Sequence, residues 1–197
     1  HGLRLVAYRN LKALGYNDEE VKAFAAENSV QDINEDGETI ERPARSSDKF
    51  VSPYPNDLAA RAGNGGAYPP DLSLIVKSRS GGADYLHALL TGYKDAPSNK
   101  NVPDGMYFNS YYQGNLIGMP QPLYEDGVTY ADGTKATPAQ MAKDVATFLA
   151  WASEPELEDR KRIGISVICF LLVLTILSYF AMRQIWAPIK SREKKTS

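Results

Sequence analysis

The feature that most constrains this chain is an uncharged apolar stretch close to its C-terminus. Residues 163–182 read IGISVICFLLVLTILSYFAM and contain no Asp, Glu, Lys or Arg. At a rise of 1.5 Å per residue, a helix of this length is about 30 Å long and matches the hydrocarbon core of a lipid bilayer. The sequence therefore predicts one transmembrane helix, over residues 160–185, that anchors a domain formed by residues 1–159.

The charged residues are divided unevenly on the two sides of this stretch. Residues 1–159 contain 14 Lys and Arg against 23 Asp and Glu, whereas residues 160–197 contain eight basic residues and one acid. Because basic tails favour the cytoplasmic or matrix side of a membrane, residues 186–197 are predicted to form a basic inner tail, with the acidic domain outside. The acidity also argues against binding to nucleic acid and suits a cationic protein partner.

Apolar spacing and capping signals predict several short helices between long irregular segments. The first helix is predicted over residues 3–14, and the capping pair of Asn17 and Glu20 predicts the start of a second. Residues 30–56 are polar and contain turn signals, which indicates an extended loop. Further helices are predicted over residues 72–79, 85–91 and 137–151, and a small hairpin over residues 128–133. The last helix would bury Met141, Val145, Phe148 and Leu149.

Few residues in the chain are of the kinds that bind metals. The single cysteine, Cys169, lies inside the apolar stretch, and His87 is interpreted as a structural or surface residue. His1 is more suggestive, because the haem-attachment motif C-x-x-C-H ends in a histidine that ligates iron. Met119 lies between Gly and Pro residues in LIGMPQP. Such a stiff, non-helical loop can aim a thioether at a fixed point, as a distal haem ligand requires.

Residue chemistry alone leaves three classes of protein open. In the first, His1 and Met119 ligate a haem iron. In the second, His1 is the mature N-terminus, and its amine and imidazole bind copper with His87 as the available partner. In the third, the chain is a non-catalytic scaffold tethered to a membrane, with His1 and Met119 both structural. Composition and periodicity by themselves favour the scaffold.

A series of short blocks, taken together and in order, identifies a family. The blocks are HGLRLVAYR at residues 1–9, YPNDLAAR at 54–61, NGGAYPPDLS at 64–73, GGADY at 81–85, LTGY at 90–93, MYFN at 106–109, IGMP at 117–120, AKDV at 142–145 and WASEPE at 151–156. This pattern resembles the cytochrome c1 family over essentially the whole chain, with residue 1 at the position of the family's haem-binding histidine.

The resemblance implies a mainly α-helical, cytochrome c-like haem domain with long irregular loops, plus one C-terminal transmembrane helix. It implies haem c as the cofactor, with His1 as the proximal iron ligand and Met119 as the distal one. The haem-linking cysteines are expected upstream of His1 and absent from this chain. The positions expected to line the haem are Asn64, Ala67, Pro70, Arg79 and Tyr85. Arg79 has an independent rationale, because a guanidinium can pair bidentately with a haem propionate.

By the same resemblance, the chain is expected to be an electron-transfer subunit of the bc1 complex, the quinol:cytochrome c oxidoreductase, with no bond-making chemistry of its own. It would receive electrons from the Rieske iron–sulfur protein, pass them to a soluble cytochrome c and lie beside cytochrome b in the membrane. The expected location is single-pass, either in a bacterial inner membrane facing the periplasm or in the mitochondrial inner membrane facing the intermembrane space. The acidic cluster at residues 32–41 is a candidate contact for the soluble cytochrome.

Overall fold

The computed structural model describes residues 2–98 and 100–196, which form two compact units, His1–Pro155 and Glu156–Ser197. In chain order, the helices are a 3-10 helix at Tyr8–Leu14, α1 at Asp18–Ala26, α2 at Asp57–Ala62, α3 at Ile75–Ser78, α4 at Gly82–Thr91, α5 at Pro138–Ser153 and α6 at Leu157–Thr196. The strands are β1 at Ser29–Ile33, β2 at Thr39–Pro43, β3 at Tyr107–Phe108 and β4 at Leu116–Ile117. The predicted mainly helical fold is confirmed.

The predicted helix starts rest on caps that the structure contains. The side chain of Asn17 accepts hydrogen bonds from the backbone N–H groups of Glu19 and Glu20, and the Glu20 carboxylate accepts one from the N–H of Asn17. At α5, the Thr137 hydroxyl accepts from the N–H of Gln140. These side chains satisfy backbone donors that have no partner inside a helix, so they fix where α1 and α5 begin.

The N-terminal segment departs from the predicted helix over residues 3–14. Only Tyr8–Leu14 is helical, and it is a 3-10 helix. Before it, Ala7 forms an antiparallel bridge with Lys49, and the Gly2 carbonyl accepts a hydrogen bond from the N–H of Leu72. Pairing with distant segments therefore overrides the helical spacing of the apolar residues.

The predicted extended loop over residues 30–56 is wrong in its first half, whereas the described residues 44–56 contain no helix or strand. Strands β1 and β2 pair antiparallel, with Val30 opposite Arg42. The turn between them is stabilised by the Asn34 side chain, which accepts hydrogen bonds from two backbone N–H groups, and by Gly37 at a φ of 82°. Polar strands in a solvent-facing hairpin carry little hydrophobic periodicity, which explains the missed prediction.

Two further predictions need correction. The small hairpin predicted over residues 128–133 is absent from that stretch, all of which the structure describes, and the chain's second hairpin is β3–β4 instead. The helix predicted over residues 72–79 is reduced to α3, since the Asp71 carboxylate accepts a hydrogen bond from the N–H of Ser73 and holds that backbone in a turn.

The core of the first unit consists of two clusters of side chains. One contains Tyr8, Val21, Ala25 and Ala44, and the other contains Ile75, Leu86, Ala146 and Leu149. The second cluster joins α3, α4 and α5, and a 2.8 Å salt bridge between Lys77 and Glu154 links α3 to the segment after α5. Of the residues predicted to be buried on α5, Met141 and Leu149 are buried, whereas Val145 and Phe148 remain 39% and 37% exposed.

The second unit is the long helix α6. Within it, Leu157–Pro188 contains an apolar window with a mean hydropathy of 2.5, none of which is buried within the structure. By length and composition, this is the one helix in the described part of the chain that could cross a membrane. The predicted C-terminal apolar helix is confirmed as a candidate membrane span.

Candidate functional site

The N-terminal segment is fixed to residues 71–73 by backbone hydrogen bonds. The N–H of Leu72 donates to the Gly2 carbonyl at 2.8 Å, and the N–H of Leu5 donates to the hydroxyl of the fully buried Ser73 at 3.0 Å. His1 lies outside the described residues. The structure therefore fixes the backbone that directly follows His1 without placing the imidazole.

A polar group centred on Asp71 reinforces this arrangement. Its carboxylate accepts hydrogen bonds from the backbone N–H groups of Arg4 and Ser73, and the Arg4 guanidinium donates to the Tyr68 hydroxyl at 3.2 Å. Although burial acts to raise it, hydrogen bonds from the Ser73 side chain and from the N–H groups of Ser73 and Arg4 hold the pKa of Asp71 below its ordinary value. A Cβ on Gly2 would lie only 3.3 Å from the Asp71 carboxylate, so this position has little room for a side chain.

The loop after α2 carries two of the predicted haem-lining residues. The Asn64 amide donates to a carbonyl one turn earlier, in α2, at 2.6 Å. Arg61 donates to the Gly66 carbonyl, and its guanidinium lies 5.2 Å from the centre of the Tyr68 ring. These contacts stabilise the conformation of the loop. Ala67, in the same loop, is exposed.

Met119 directly follows the β3–β4 hairpin and is half-buried. Its carbonyl accepts a hydrogen bond from the hydroxyl of Tyr93 at 3.0 Å. Burial, and then the neighbouring Tyr124, raises the pKa of Tyr93 to about 12. Like any tyrosine phenol, it is protonated at neutral pH and can donate. The main chain at Met119 is thus held by a side chain that lies directly after α4.

The structure brings Ala67 beside the Met119 segment. A Cβ built on Gly118 would lie 3.8 Å from the Cβ of Ala67 and 3.9 Å from the sulfur of Met106. Residues that are about 50 positions apart in the sequence are therefore neighbours here, and the Met106 sulfur lies beside them. Small apolar groups next to a methionine on a non-helical segment fit a haem with thioether ligation.

The remaining residues predicted to line the haem are Tyr85, Pro70 and Arg79. Tyr85 is half-buried and packs against the second core cluster, which Leu3 and Leu72 of the N-terminal contact also touch. Pro70 is exposed, and Arg79 is exposed at the end of α3. Within residues 2–98 and 100–196, no hydrogen bond joins Asn64 or Arg79 to Met119.

Asn109 and Tyr93 are structural determinants of the site to which sequence reasoning gave no role. Asn109 is fully buried, its amide donates to the Leu89 carbonyl in α4 at 2.7 Å, and its side-chain oxygen accepts from the N–H groups of Tyr111 and Tyr112. Both residues occur in the MYFN and LTGY blocks, but their residue types alone do not indicate which distant groups they contact.

The alternative metal chemistry gains no support from the described residues. His87 is half-buried in α4, and in the part of the chain that is described no group of three or more His, Cys, Asp or Glu could hold a metal ion. The expectation that the haem-linking cysteines are absent from the chain is not supported either, because one cysteine is present, Cys169. It is exposed on α6, within the apolar window.

Comparison with known proteins identifies the family. A profile described as the Cytochrome C1 family matches residues 1–189. The chain is 48% identical to a "Cytochrome c1-2, heme protein, mitochondrial" of Solanum tuberosum, over 98% of this chain and 75% of that protein. It is 49% identical to a "Cytochrome c1, heme protein, mitochondrial" of Schizosaccharomyces pombe, over 98% and 63%.

A relative in Candida albicans, "Cytochrome b-c1 complex catalytic subunit, mitochondrial", is 48% identical over 98% of this chain and 68% of its own length. The chain spans about 63% of the length of the S. pombe relative and of two relatives from Arabidopsis thaliana. The matches cover both the first unit, with the N-terminal contact and the Met119 segment, and most of α6. The chain belongs to the cytochrome c1 family.

Proposed function

We propose that this chain is the membrane-anchored haem c subunit of a cytochrome bc1 complex and passes single electrons from the Rieske iron–sulfur protein to a soluble cytochrome c. The observation that carries the proposal is the position of Met119, whose main chain is held by Tyr93 while the preceding residue lies beside Ala67. Family membership and relatives that are named haem proteins support it.

The proposed iron ligands are His1 and Met119. When bound, haem c supplies a one-electron iron couple, and ligation by methionine raises its reduction potential. The chain's own residues hold the two ligands in place: the N-terminal contact with Leu72 fixes the backbone after His1, and Tyr93 fixes the backbone at Met119. The cysteines that form the thioether links are proposed to precede His1.

The residues proposed to line the haem are Asn64, Ala67, Pro70, Arg79 and Tyr85. Ala67 contributes a small apolar surface beside the Met119 segment. Arg79 is exposed, and within the described chain its guanidinium donates one hydrogen bond, to the neighbouring carbonyl of Ser78. Its other donors are available for a carboxylate, so a haem propionate is the proposed partner.

The electron partners are inferred from charge and from the names of the relatives. Residues 1–159 carry a clear excess of acids, and the acidic cluster at residues 32–41 lies in and around the β1–β2 hairpin. Such a surface attracts a cationic soluble cytochrome over several ångströms. Membership of a b-c1 complex, in the words of the Candida albicans relative's name, makes cytochrome b and the Rieske protein the proposed neighbours.

The proposed arrangement in the membrane is single-pass. Residues 1–159 form the outer haem domain, residues 160–185 cross the bilayer and residues 186–197 form the inner basic tail. The relatives are named mitochondrial, which supports a mitochondrial location. The proposed place is the inner membrane with the domain in the intermembrane space, and a bacterial inner membrane with the domain in the periplasm is the alternative.

Substitution of Met119 tests the proposal, with Met106 as a matched control, since its sulfur lies close to Gly118, the residue before Met119. In membranes that contain the full-length protein, the reduced-minus-oxidised spectrum should show the sharp α-band of haem c. Met119→Leu should lower the midpoint potential by on the order of 0.1 V or more, because axial ligands set haem potentials over about 0.8 V. Met106→Leu should leave the potential unchanged.

Two results would contradict the proposal. Stoichiometric copper without an α-band would support the copper class of protein instead. A fall in potential in Met106→Leu but not in Met119→Leu would assign the distal ligand to Met106, whose sulfur faces the same glycine.

A further inference from the structure

The end of α4 is the point where the β3–β4 hairpin attaches to the helical core. The N–H of Ser110 donates to the carbonyl of Gly92 at 3.0 Å, and Tyr93 forms an antiparallel bridge with Asn109. The Asn109 amide adds a 2.7 Å hydrogen bond to the Leu89 carbonyl. The bridge, with its hydrogen bond, and the Asn109 side chain therefore fix the first half of the hairpin to residues 89–93.

Residues 89–93 and the hairpin come very close together at Gly92, which is buried. A Cβ at this position would lie 2.6 Å from the Tyr111 ring, 2.8 Å from the Ala88 carbonyl and 3.0 Å from the Asn109 side chain. No residue other than glycine fits without a shift of the backbone. The position of Tyr93 relative to the hairpin is thereby fixed.

Met119 lies beyond these contacts. Strand β4 ends at Ile117, and the β3–β4 ladder pairs only two residues on each strand. Among the described residues, the Tyr93 hydroxyl is the only group that donates a hydrogen bond to the Met119 carbonyl. Because methionine has three rotatable side-chain bonds, the position of its sulfur depends on how firmly its backbone is held.

The same helix also contacts the other end of the proposed site. Leu86 of α4 belongs to the cluster against which Leu3, Leu72 and Tyr85 pack, next to the hydrogen bond between Gly2 and Leu72. The helix α4, together with Tyr93 just after it, thus connects the segment after His1 with the backbone of Met119. A change at the Tyr93 contact would alter only the Met119 end.

We propose that Tyr93 is a positioning residue that keeps the Met119 thioether on the haem iron by anchoring the Met119 carbonyl. This inference rests on the proposed function. Without the anchor, the segment after β4 would gain freedom, and small ligands would reach a haem iron held at this site for a larger fraction of the time. Loss of one hydrogen bond corresponds to a roughly two- to tenfold increase in the open population.

The test compares Tyr93→Phe with Tyr124→Phe, an exposed tyrosine close to the Tyr93 phenol. Carbon monoxide binding to the reduced protein in the full complex reports the open population. Tyr93→Phe should bind carbon monoxide roughly two- to tenfold more readily than the wild type, with the α-band retained, and Tyr124→Phe should behave as the wild type.

A double-variant cycle with Met119→Leu separates positioning from general loosening. If Tyr93 acts through Met119, adding Tyr93→Phe to Met119→Leu should produce no further increase in carbon monoxide binding. A further increase would assign Tyr93 a merely structural role and overturn the inference. So would wild-type carbon monoxide binding in Tyr93→Phe.

The two proposals fail in distinguishable ways. If Met119→Leu changes neither the midpoint potential nor carbon monoxide binding, the distal ligand assignment fails and the inference fails with it. If Met119→Leu lowers the potential while Tyr93→Phe equals the wild type, the assignment stands and only the role of Tyr93 is overturned.

Discussion

The hydroxyl of Tyr130 donates a 2.5 Å hydrogen bond to the carboxylate of Asp144, in the middle of α5. Asp144 also accepts a hydrogen bond from the Gln140 side chain at 2.9 Å. The long segment between Met119 and α5 contains no helix or strand in residues 120–137, so this side-chain pair ties it to the helical core. Long loops of this kind need such attachments to stay ordered.

Tyr130→Phe should therefore loosen the segment that follows Met119. The ring is retained, and only the hydrogen bond to Asp144 is lost. We expect the thermal unfolding midpoint to fall by about 2–4 °C, the shift typical of one lost interaction in a domain of this size. Tyr107→Phe is the control, since Tyr107 is partly exposed on β3. Equal midpoints for the two variants would show that the pair with Asp144 contributes nothing to stability.

A second prediction concerns Arg42, which bridges two carboxylates. Its guanidinium lies 2.5 Å from Asp32 and 2.7 Å from Asp48, and it connects β2 to β1 and to the turn that follows β2. Hydrogen bonds from Arg42 are the main cause that lowers the pKa of both carboxyl groups below the ordinary 3.8. Because the pKa is lower in the folded state, the stabilisation is present above about pH 4 and is lost as the pH falls through the folded values.

Asp48→Asn should remove part of the pH dependence of stability that the Arg42 ion pairs cause. The variant should be less stable than the wild type at neutral pH, and the difference should shrink as the pH is lowered from about 4 towards 2. Denaturation midpoints measured across this range check the prediction, with Glu35→Gln, in the exposed turn of the hairpin, as the control. A stability difference that stays constant down to pH 2 would contradict the role given to the ion pair.

The contrast between what the sequence predicts and what the structure contains has a physical basis. Asn17 and Thr137 cap helices through contacts within three residues, so local sequence predicts the start of α1 and of α5. The β1–β2 hairpin depends on pairs such as Val30 with Arg42, in strands that face solvent, so local sequence does not predict it. Local signals are sufficient only where the stabilising partner is close in the sequence.

The same contrast between local and distant contacts applies to the candidate site. Met119 was singled out from its Gly and Pro neighbours and from the family resemblance, and it remains the proposed distal ligand. Its hydrogen bond with Tyr93 and the proximity of Gly118 to Ala67 link segments 26 and about 50 residues apart. No periodicity or motif encodes such contacts, so sequence reasoning gave Tyr93 no role.

A third prediction concerns the surface that meets the soluble electron acceptor. If the acidic excess of residues 1–159 steers a cationic cytochrome, the rate of its reduction should fall as ionic strength rises, because salt screens charges beyond about 10 Å at 0.1 M. Stopped-flow reduction over a range of salt concentrations measures the effect. A neutral one-electron acceptor is the control, and a rate independent of salt for the cationic cytochrome would contradict steering.

The last prediction concerns Ser73, the buried residue that fixes the N-terminal segment. Its hydroxyl accepts the hydrogen bond from the N–H of Leu5, and the preceding residue, Leu72, donates to the Gly2 carbonyl. Ser73→Ala leaves that N–H without its partner and should destabilise the first unit by about 1–2 kcal/mol. Ser80→Ala, at an exposed serine in the same part of the chain, should change stability by less than about 0.5 kcal/mol.

Ser73→Ala should also affect the proposed proximal side, because the backbone after His1 depends on the same contacts with residues 71–73. Urea denaturation followed by circular dichroism measures the stability, and the visible absorption of the haem reports whether the iron keeps its native protein ligands as the urea concentration rises. We expect native ligation to be lost at lower urea in Ser73→Ala than in Ser80→Ala. Loss of stability with the urea midpoint of ligation unchanged would show that the contact supports the fold of the first unit but does not position His1.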